Sequence, residues 1–274
     1  MDVYGRRLFM RTGAGRGPLL LFLHGYPSSS YDWRHLLDLL PEHEFACFDF
    51  LGFGLSEKPA DHVYSLFEQA DLVEGIVKRL DADRVVLVAH DMGTSVATEL
   101  LARDIEGRLP FGLNSVLLLN GSMVLERASL TPSQKVLRSR FGGVAARLSN
   151  ERSFRAQFGR LFSPDHPLSP EEAADQWALL AHGGGNRILH RLTYYLHERV
   201  THAERWHGAL RNWGGELELA WGMRDPVSTG AVLDAVVGLR PHARVTRFEE
   251  LGHYPQLEAP EAVAPIVARV AGHP

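Results

Sequence analysis

Asp91 lies in Ala89-His90-Asp91-Met92-Gly93, where an apolar run over residues 85–89 passes at once into a helical pattern carrying Val96, Leu100 and Leu101 on one face. That pattern predicts strand, sharp turn and helix. Ala89 and Gly93 bracket Asp91 two positions either side, as a strained turn requires if its middle side chain is to project freely. A carboxylate there is ionised at neutral pH and needs no base to become a nucleophile. Its attack on an ester or amide carbonyl would give a reactive anhydride, whereas attack on a saturated carbon gives an ordinary alkyl ester. The residue type therefore points towards epoxides or alkyl halides. A plain helix N-cap is the competing role for the same aspartate. Two more loops end strand-like runs: 221–226 with Asp225, and 251–256 with His253. Open α/β sheets place their sites at such carboxyl ends of strands.

The elements that must position these loops follow from apolar periodicity. Short apolar runs at 19–23, 45–50, 85–89, 116–120, 217–221 and 245–248 alternate with segments of helical spacing. Such alternation predicts an α/β chain whose mostly parallel sheet carries helices on both faces. Ser65 and Glu68 have the spacing of a capping box, ahead of Leu66, Ala70, Val73, Val77 and Leu80. From 123 to 210 the chain is helical in character, and no strand-like run interrupts it. The expected organisation is a core of residues 1–122 and 211–274 with a helical cap, 123–210, inserted. No internal repeat or low-complexity segment occurs.

Composition narrows the partners. The 274 residues are 45% hydrophobic and 23% charged, and 29 basic against 33 acidic side chains give a net charge of −4 without a long block of one sign. Neither nucleic acid nor a membrane is expected as a partner. No signal peptide or run of about 18 apolar residues is seen, so a cytoplasmic location is expected. The single cysteine, Cys47, reads as a buried small hydrophobe. Fourteen histidines are scattered without metal-ligand spacing, and Gly52-Phe53-Gly54 lacks the rest of a phosphate loop. No cofactor and no metal are implied.

Five motifs in order make the resemblance specific: HGYP at 24–27, DFLGFGLSEKP at 49–59, AHDMG at 89–93, WGMRDP at 221–226 and GHYPQLE at 252–258. Together they resemble the epoxide hydrolase and haloalkane dehalogenase branch of the α/β-hydrolase superfamily, whose fold order is nucleophile, acid, histidine. Within it, residues 64–70, the Asp91 turn and HYPQLE are most similar to the mesoderm-specific transcript proteins. The resemblance implies that Asp91 forms an alkyl-enzyme ester, that His253 activates water to hydrolyse it, and that Asp225 orients the imidazole. It places the oxyanion hole at the backbone N–H groups of Tyr26 and Met92. Glu126 is the fallback acid, because some relatives take the acid from the loop after that strand.

Two departures separate the sub-branches. Dehalogenases clamp the leaving halide with a tryptophan after the nucleophile and a donor often found in the HGxP loop, where this chain has Met92 and Tyr26. Epoxide opening instead requires a proton for the alkoxide, which relatives draw from cap tyrosines. Here Tyr195 aligns best with that role, with Tyr194 adjacent; about 100° of helix separates them, so both are not expected to face one oxygen. His190, His197, His202 and Trp206 are further cap residues whose spacing does not place them. The expected activity is cofactor-independent hydrolysis of an epoxide, a small hydrophobic substrate, to a vicinal diol, by a monomer or homodimer. The alternatives are a haloalkane dehalogenase or an ester or lactone hydrolase of the same fold, and, in another class, a catalytically weak small-molecule receptor or partner-binding protein.

Overall fold

Alternation along the apolar runs builds two core layers in the computed structural model, which describes residues 1–272. After a small hairpin of β1 (Asp2–Val3) and β2 (Arg6–Arg7), seven strands follow: β3 (Met10–Gly13), β4 (Arg16–Leu23), β5 (His43–Phe48), β6 (Arg84–His90), β7 (Gly112–Leu119), β8 (Glu216–Gly222) and β9 (Arg244–Phe248). They form one sheet in the order β3-β5-β4-β6-β7-β8-β9. Only β3, at the edge, runs antiparallel to its neighbour.

Successive side chains of a strand point to opposite faces. On one face Leu21, Leu87, Leu118 and Leu219 pack with α2 (Leu66–Leu80), α3 (Met92–Ile105) and α11 (Gly230–Leu239), here numbered in chain order after α1 (Arg34–Asp38). On the other, Phe22, Val88, Leu117 and Ala220 pack with Trp33, Leu36 and the terminal α13 (Pro260–Ala271), which follows the short α12 (Pro255–Glu258). The sheet is thereby covered twice.

Between β7 and β8 the chain is helical: α4 (Pro132–Leu137), α5 (Gly142–Leu148), α6 (Glu151–Phe158), α7 (Pro170–Ala181), α8 (Gly185–Leu192), α9 (Tyr195–Thr201) and α10 (Ala203–Asn212). Ile188, Leu192, Leu196 and Trp206 join the core layer over α2 and α3. Among the described residues, no helix is long and apolar enough to cross a membrane.

One local expectation is corrected. Ser65 caps α2, its Oγ accepting from the Phe67 N–H at 3.1 Å, but Glu68 does not complete a box. The Ser65 N–H that the box needs donates to the Val63 carbonyl at 3.0 Å, and Glu68 turns instead to His62 and Arg6. Glu198 of α9 takes the vacant capping position: it accepts from Ser65 Oγ at 2.6 Å and from the Leu66 N–H at 2.7 Å.

Candidate active site

Asp91 connects β6 to α3 at φ 42° and ψ −108°, a left-handed conformation that costs a non-glycine residue on the order of 1–3 kcal/mol. Its surroundings impose that conformation. The Asp91 N–H donates to the Leu119 carbonyl at 3.2 Å, and the Asp91 carbonyl accepts from Thr94 Oγ1 at 2.6 Å and from the Thr94 N–H at 3.1 Å. Gly93 is required by close approach, since a Cβ there would lie 2.4 Å from the Leu23 carbonyl oxygen. The side chain makes no capping hydrogen bond to α3. Instead Oδ2 accepts from the Tyr26 N–H at 2.9 Å. Met92 opens α3 directly after Asp91, so its N–H has no intrahelical acceptor. Of the two expected oxyanion donors, the Tyr26 N–H is the one bonded to the Asp91 carboxylate.

The Tyr26 loop is held by His24. Its Nε2 accepts from the Phe50 N–H at 2.9 Å, which leaves the proton on Nδ1 to donate to the Gly25 carbonyl at 2.8 Å. Burial keeps this ring neutral by pushing its pKa down, against the charges of Asp49 and Asp91.

The second half of the site joins three strand ends. Asp225, after β8, accepts at Oδ1 from the N–H groups of Val227 and Ser228 at 2.7 and 3.0 Å. Its Oδ2 accepts from Asn120 Nδ2 at 2.8 Å and from His253 Nδ1 at 2.6 Å. Asn120 follows β7, and its Oδ1 accepts from the Gly222 N–H at 2.8 Å, which ties β7 to β8 at the level of the acid. Burial alone would raise the Asp225 carboxyl, but His253 and the amide donors outweigh it and hold it below the ordinary value. Burial likewise opposes an imidazolium at His253, yet the Asp225 carboxylate, with the charge of Asp91 beyond it, holds that pKa above the ordinary value. The proton on Nδ1 is therefore fixed, and Nε2 is the basic atom.

His90 was expected only as part of the turn, and its role emerges from the structure. Its Nε2–H donates to the His253 carbonyl at 2.7 Å and its ring centroid lies 4.9 Å from that of His253. Burial, with the neighbouring His253, pushes its pKa down to about 3, so it is a neutral strut between the two halves.

The helical segment contributes Tyr195 and, less expectedly, Arg199. Tyr195 is buried, with its ring centroid 5.6 Å from that of Tyr26. Its hydroxyl accepts from Gln134 Nε2 at 3.1 Å, so the phenolic proton stays available to another acceptor. Tyr194 is 38% exposed and packs against His197, away from Tyr195's neighbours. Arg199 is 2% exposed. Its Nε donates to Ser95 Oγ at 2.8 Å and its Nη2 to the Asp91 carbonyl at 3.0 Å, with Nη2 3.7 Å from Asp91 Oδ1. The guanidinium carbon lies 4.6 Å from the centre of the Tyr195 ring. An arginine on a polar helix face reads as solvated in sequence; the available signal was its spacing of four from Tyr195, which puts both on one face of α9.

The remaining expected residues fall elsewhere. Glu126 is exposed on the 3-10 turn Leu125–Arg127, and Asp225 occupies the position beside His253. His202 packs on Phe67, Trp206 Nε1 donates to Glu99 at 3.0 Å, His197 flanks Tyr194, and His190 abuts Gly142. Burial lifts the Cys47 thiol to about 12, so it is no nucleophile. Among the described residues, no three His, Cys, Asp or Glu side chains are grouped to hold a metal ion. A surface cavity of about 450 Å³ lies at the amino ends of β7 and β8, lined by Ser115, Glu216, Arg240 and Arg269, at the opposite edge of the sheet from Asp91.

Strand-end Asp91, Asp225 and His253, over a sheet of this order, define an α/β-hydrolase architecture. Residues 18–260 match the alpha/beta hydrolase fold family, and the chain belongs to it. A candidate hydrolase designated LipZ from Mycobacterium tuberculosis is 56% identical over 258 residues, 94% of this chain and 90% of that protein. The human mesoderm-specific transcript homolog protein is 35% identical over 272 residues, covering 93% and 80% respectively. Among solved structures, the haloalkane dehalogenase DbeA from Bradyrhizobium elkani superposes with a TM-score of 0.82 over 99% of this chain and 96% of its own, at 24% identity, and so shares the fold. The protein is a hydrolase of the α/β-hydrolase fold, related to haloalkane dehalogenases and epoxide hydrolases.

Proposed function

We propose that the protein hydrolyses an epoxide to a vicinal diol, with Asp91 as nucleophile, in a site formed between an α/β core of residues 1–122 and 211–274 and a helical cap of residues 123–210. The observation that carries this reading is the Asp91 carboxylate itself: it declines the N-cap role and engages the Tyr26 N–H in a site that also holds a paired Asp225 and His253. Since Oδ2 already sits on the oxyanion donor, Oδ1 is the attacking atom. Oδ1 bonds to the epoxide carbon, the ring C–O bond breaks with its electron pair on oxygen, and Tyr195 supplies the proton. Water then adds to Cγ while His253 Nε2 takes its proton, and the resulting oxyanion rests on the N–H groups of Tyr26 and Met92. The Cγ–Oδ1 bond breaks, the departing oxygen takes the proton from His253, and the remaining carboxyl proton of Asp91 returns to the Tyr195 phenolate. Epoxide plus water gives diol, with every group restored.

Tyr195 favours epoxides over haloalkanes, because a halide needs no proton and the side chains of Met92 and Tyr26 offer no N–H to it. Intact-mass spectrometry of His253→Ala after incubation with small epoxides tests the mechanism. The expected result is a mass gain of one whole epoxide that vanishes in the Asp91→Asn/His253→Ala double variant. A gain of a haloalkane minus its halide would assign dehalogenation, and no gain across both panels would leave a binding protein on a hydrolase scaffold.

A further inference from the structure

Arg199 is a cation sealed into the site with no carboxylate of its own. Its hydrogen bonds go to a hydroxyl and a backbone carbonyl, and among the described residues the one anionic oxygen beside it is Asp91 Oδ1 at 3.7 Å. The guanidinium has five N–H donors, of which these bonds use two, so donors remain on the Oδ1 side of the nucleophile. Glu198, next in sequence, is committed to Ser65 and Leu66 and does not neutralise it. In the resting protein Asp91 and Arg199 compensate one another. Once Oδ1 is alkylated, Asp91 loses its charge and Arg199 becomes a buried, uncompensated cation, a state that proteins avoid.

We infer that Arg199 forms an anion subsite beside Asp91 Oδ1, closed to ligand while Asp91 is ionised and open to a small monovalent anion once Asp91 is neutral. A halide ion fits its position, as does the epoxide oxygen while its C–O bond breaks and before Tyr195 protonates it. The inference rests on the alkyl-ester reading above for its place in the reaction, but the binding it predicts does not depend on which electrophile is the substrate. The stacked Tyr195 ring closes the subsite on the cap side. The tryptophan clamp of dehalogenases, absent here, is replaced by a charged donor from the cap.

Asp91→Asn is isosteric and neutral, like the ester, so it exposes the subsite without turnover. Chloride binding is measured by 35Cl line broadening on wild type, Asp91→Asn, Asp91→Asn/Arg199→Gln and Asp91→Asn/Arg199→Lys, each checked for fold by circular dichroism. Asp91→Asn should bind chloride at least tenfold more tightly than wild type. Arg199→Gln should erase the gain in that background, and Arg199→Lys, which keeps the charge, should retain part of it. Equal chloride affinity in wild type and Asp91→Asn, or tight binding that survives Arg199→Gln, overturns the inference. Tight, Arg199-dependent chloride binding without any covalent adduct in His253→Ala would leave the subsite standing and remove the ester mechanism instead.

Discussion

At the scale of single residues, the site holds the Asp91 carboxylate and the Arg199 guanidinium side by side without a hydrogen bond between them. Tyr26 N–H holds one Asp91 oxygen and Arg199 stands off the other at 3.7 Å, too far to bind it as a hydrogen bond, which in the proposed mechanism leaves that oxygen a lone pair for attack. In the proposed mechanism His253, paired with Asp225, is the base, and this pairing sets a pH dependence. The base works only when neutral, and its pKa is raised, so ester hydrolysis should fall away as pH drops through a value above the ordinary 6.5. Replacing Asp225 by Asn removes the charge that raises it. The acidic limb of the kcat profile should then move to lower pH while kcat falls by about a hundredfold or more; an unmoved limb would show that another group titrates. The positions of Asp91, Asp225 and His253 could be read from sequence because each lies in a loop that closes an apolar run. Arg199, His90 and Asn120 could not. They act through partners 108, 163 and 105 positions away, and only packing of separate elements reveals such pairs.

At the scale of elements, the turn between β6 and α3 is bought by glycines and backbone contacts that leave no slack. A methyl group at Gly93 meets the Leu23 and His24 carbonyls at 2.4 and 2.7 Å, and backbone cannot yield as a side chain can. Gly93→Ala should lower unfolding free energy by about 3 kcal/mol, the upper part of the overpacking range. Gly208 in α10 is the opposite case, a helical glycine whose added Cβ would meet nothing within 4 Å. Gly208→Ala should therefore stabilise by about 0.5–1 kcal/mol through the unfolded chain. Denaturant titration of the pair checks both signs; two losses would mean that α10 packs more tightly than its open glycine indicates. The parallel strands were legible because buried parallel strands are nearly uniformly apolar, whereas their order in the sheet was not. The capping of α2 was not, because Glu198, distant in sequence, takes the place that local spacing assigns to Glu68.

At the scale of the whole molecule, the helical segment is pinned to the sheet by buried polar links, and these make stability depend on pH. Glu99 of α3 accepts from Arg205 and Trp206 of α10, Glu198 of α9 holds the start of α2, and Asp32 before α1 accepts from Gln176 of α7 at 2.7 Å. Asp32 also accepts from Ser28 and is fully buried. Burial, with the nearby Glu172, pushes its pKa up to about 7 against the donors and Arg34. A carboxyl whose folded pKa is raised stabilises the fold fully only below its unfolded pKa of about 4, and that contribution is lost as pH rises towards about 7. The protein should thus lose stability between pH 4 and 8 from this residue. Asp32→Asn keeps the size and hydrogen-bonding reach of the side chain but carries no charge at any pH. It should match wild type near pH 4 and exceed it by about 1–3 kcal/mol at pH 8, with the wild-type slope between them largely removed. Urea titrations at the two pH values measure this directly. A variant that tracks wild type across the range would mean that Asp32 ionises without cost, and that the contact between α7 and the loop before α1 opens to water when it does.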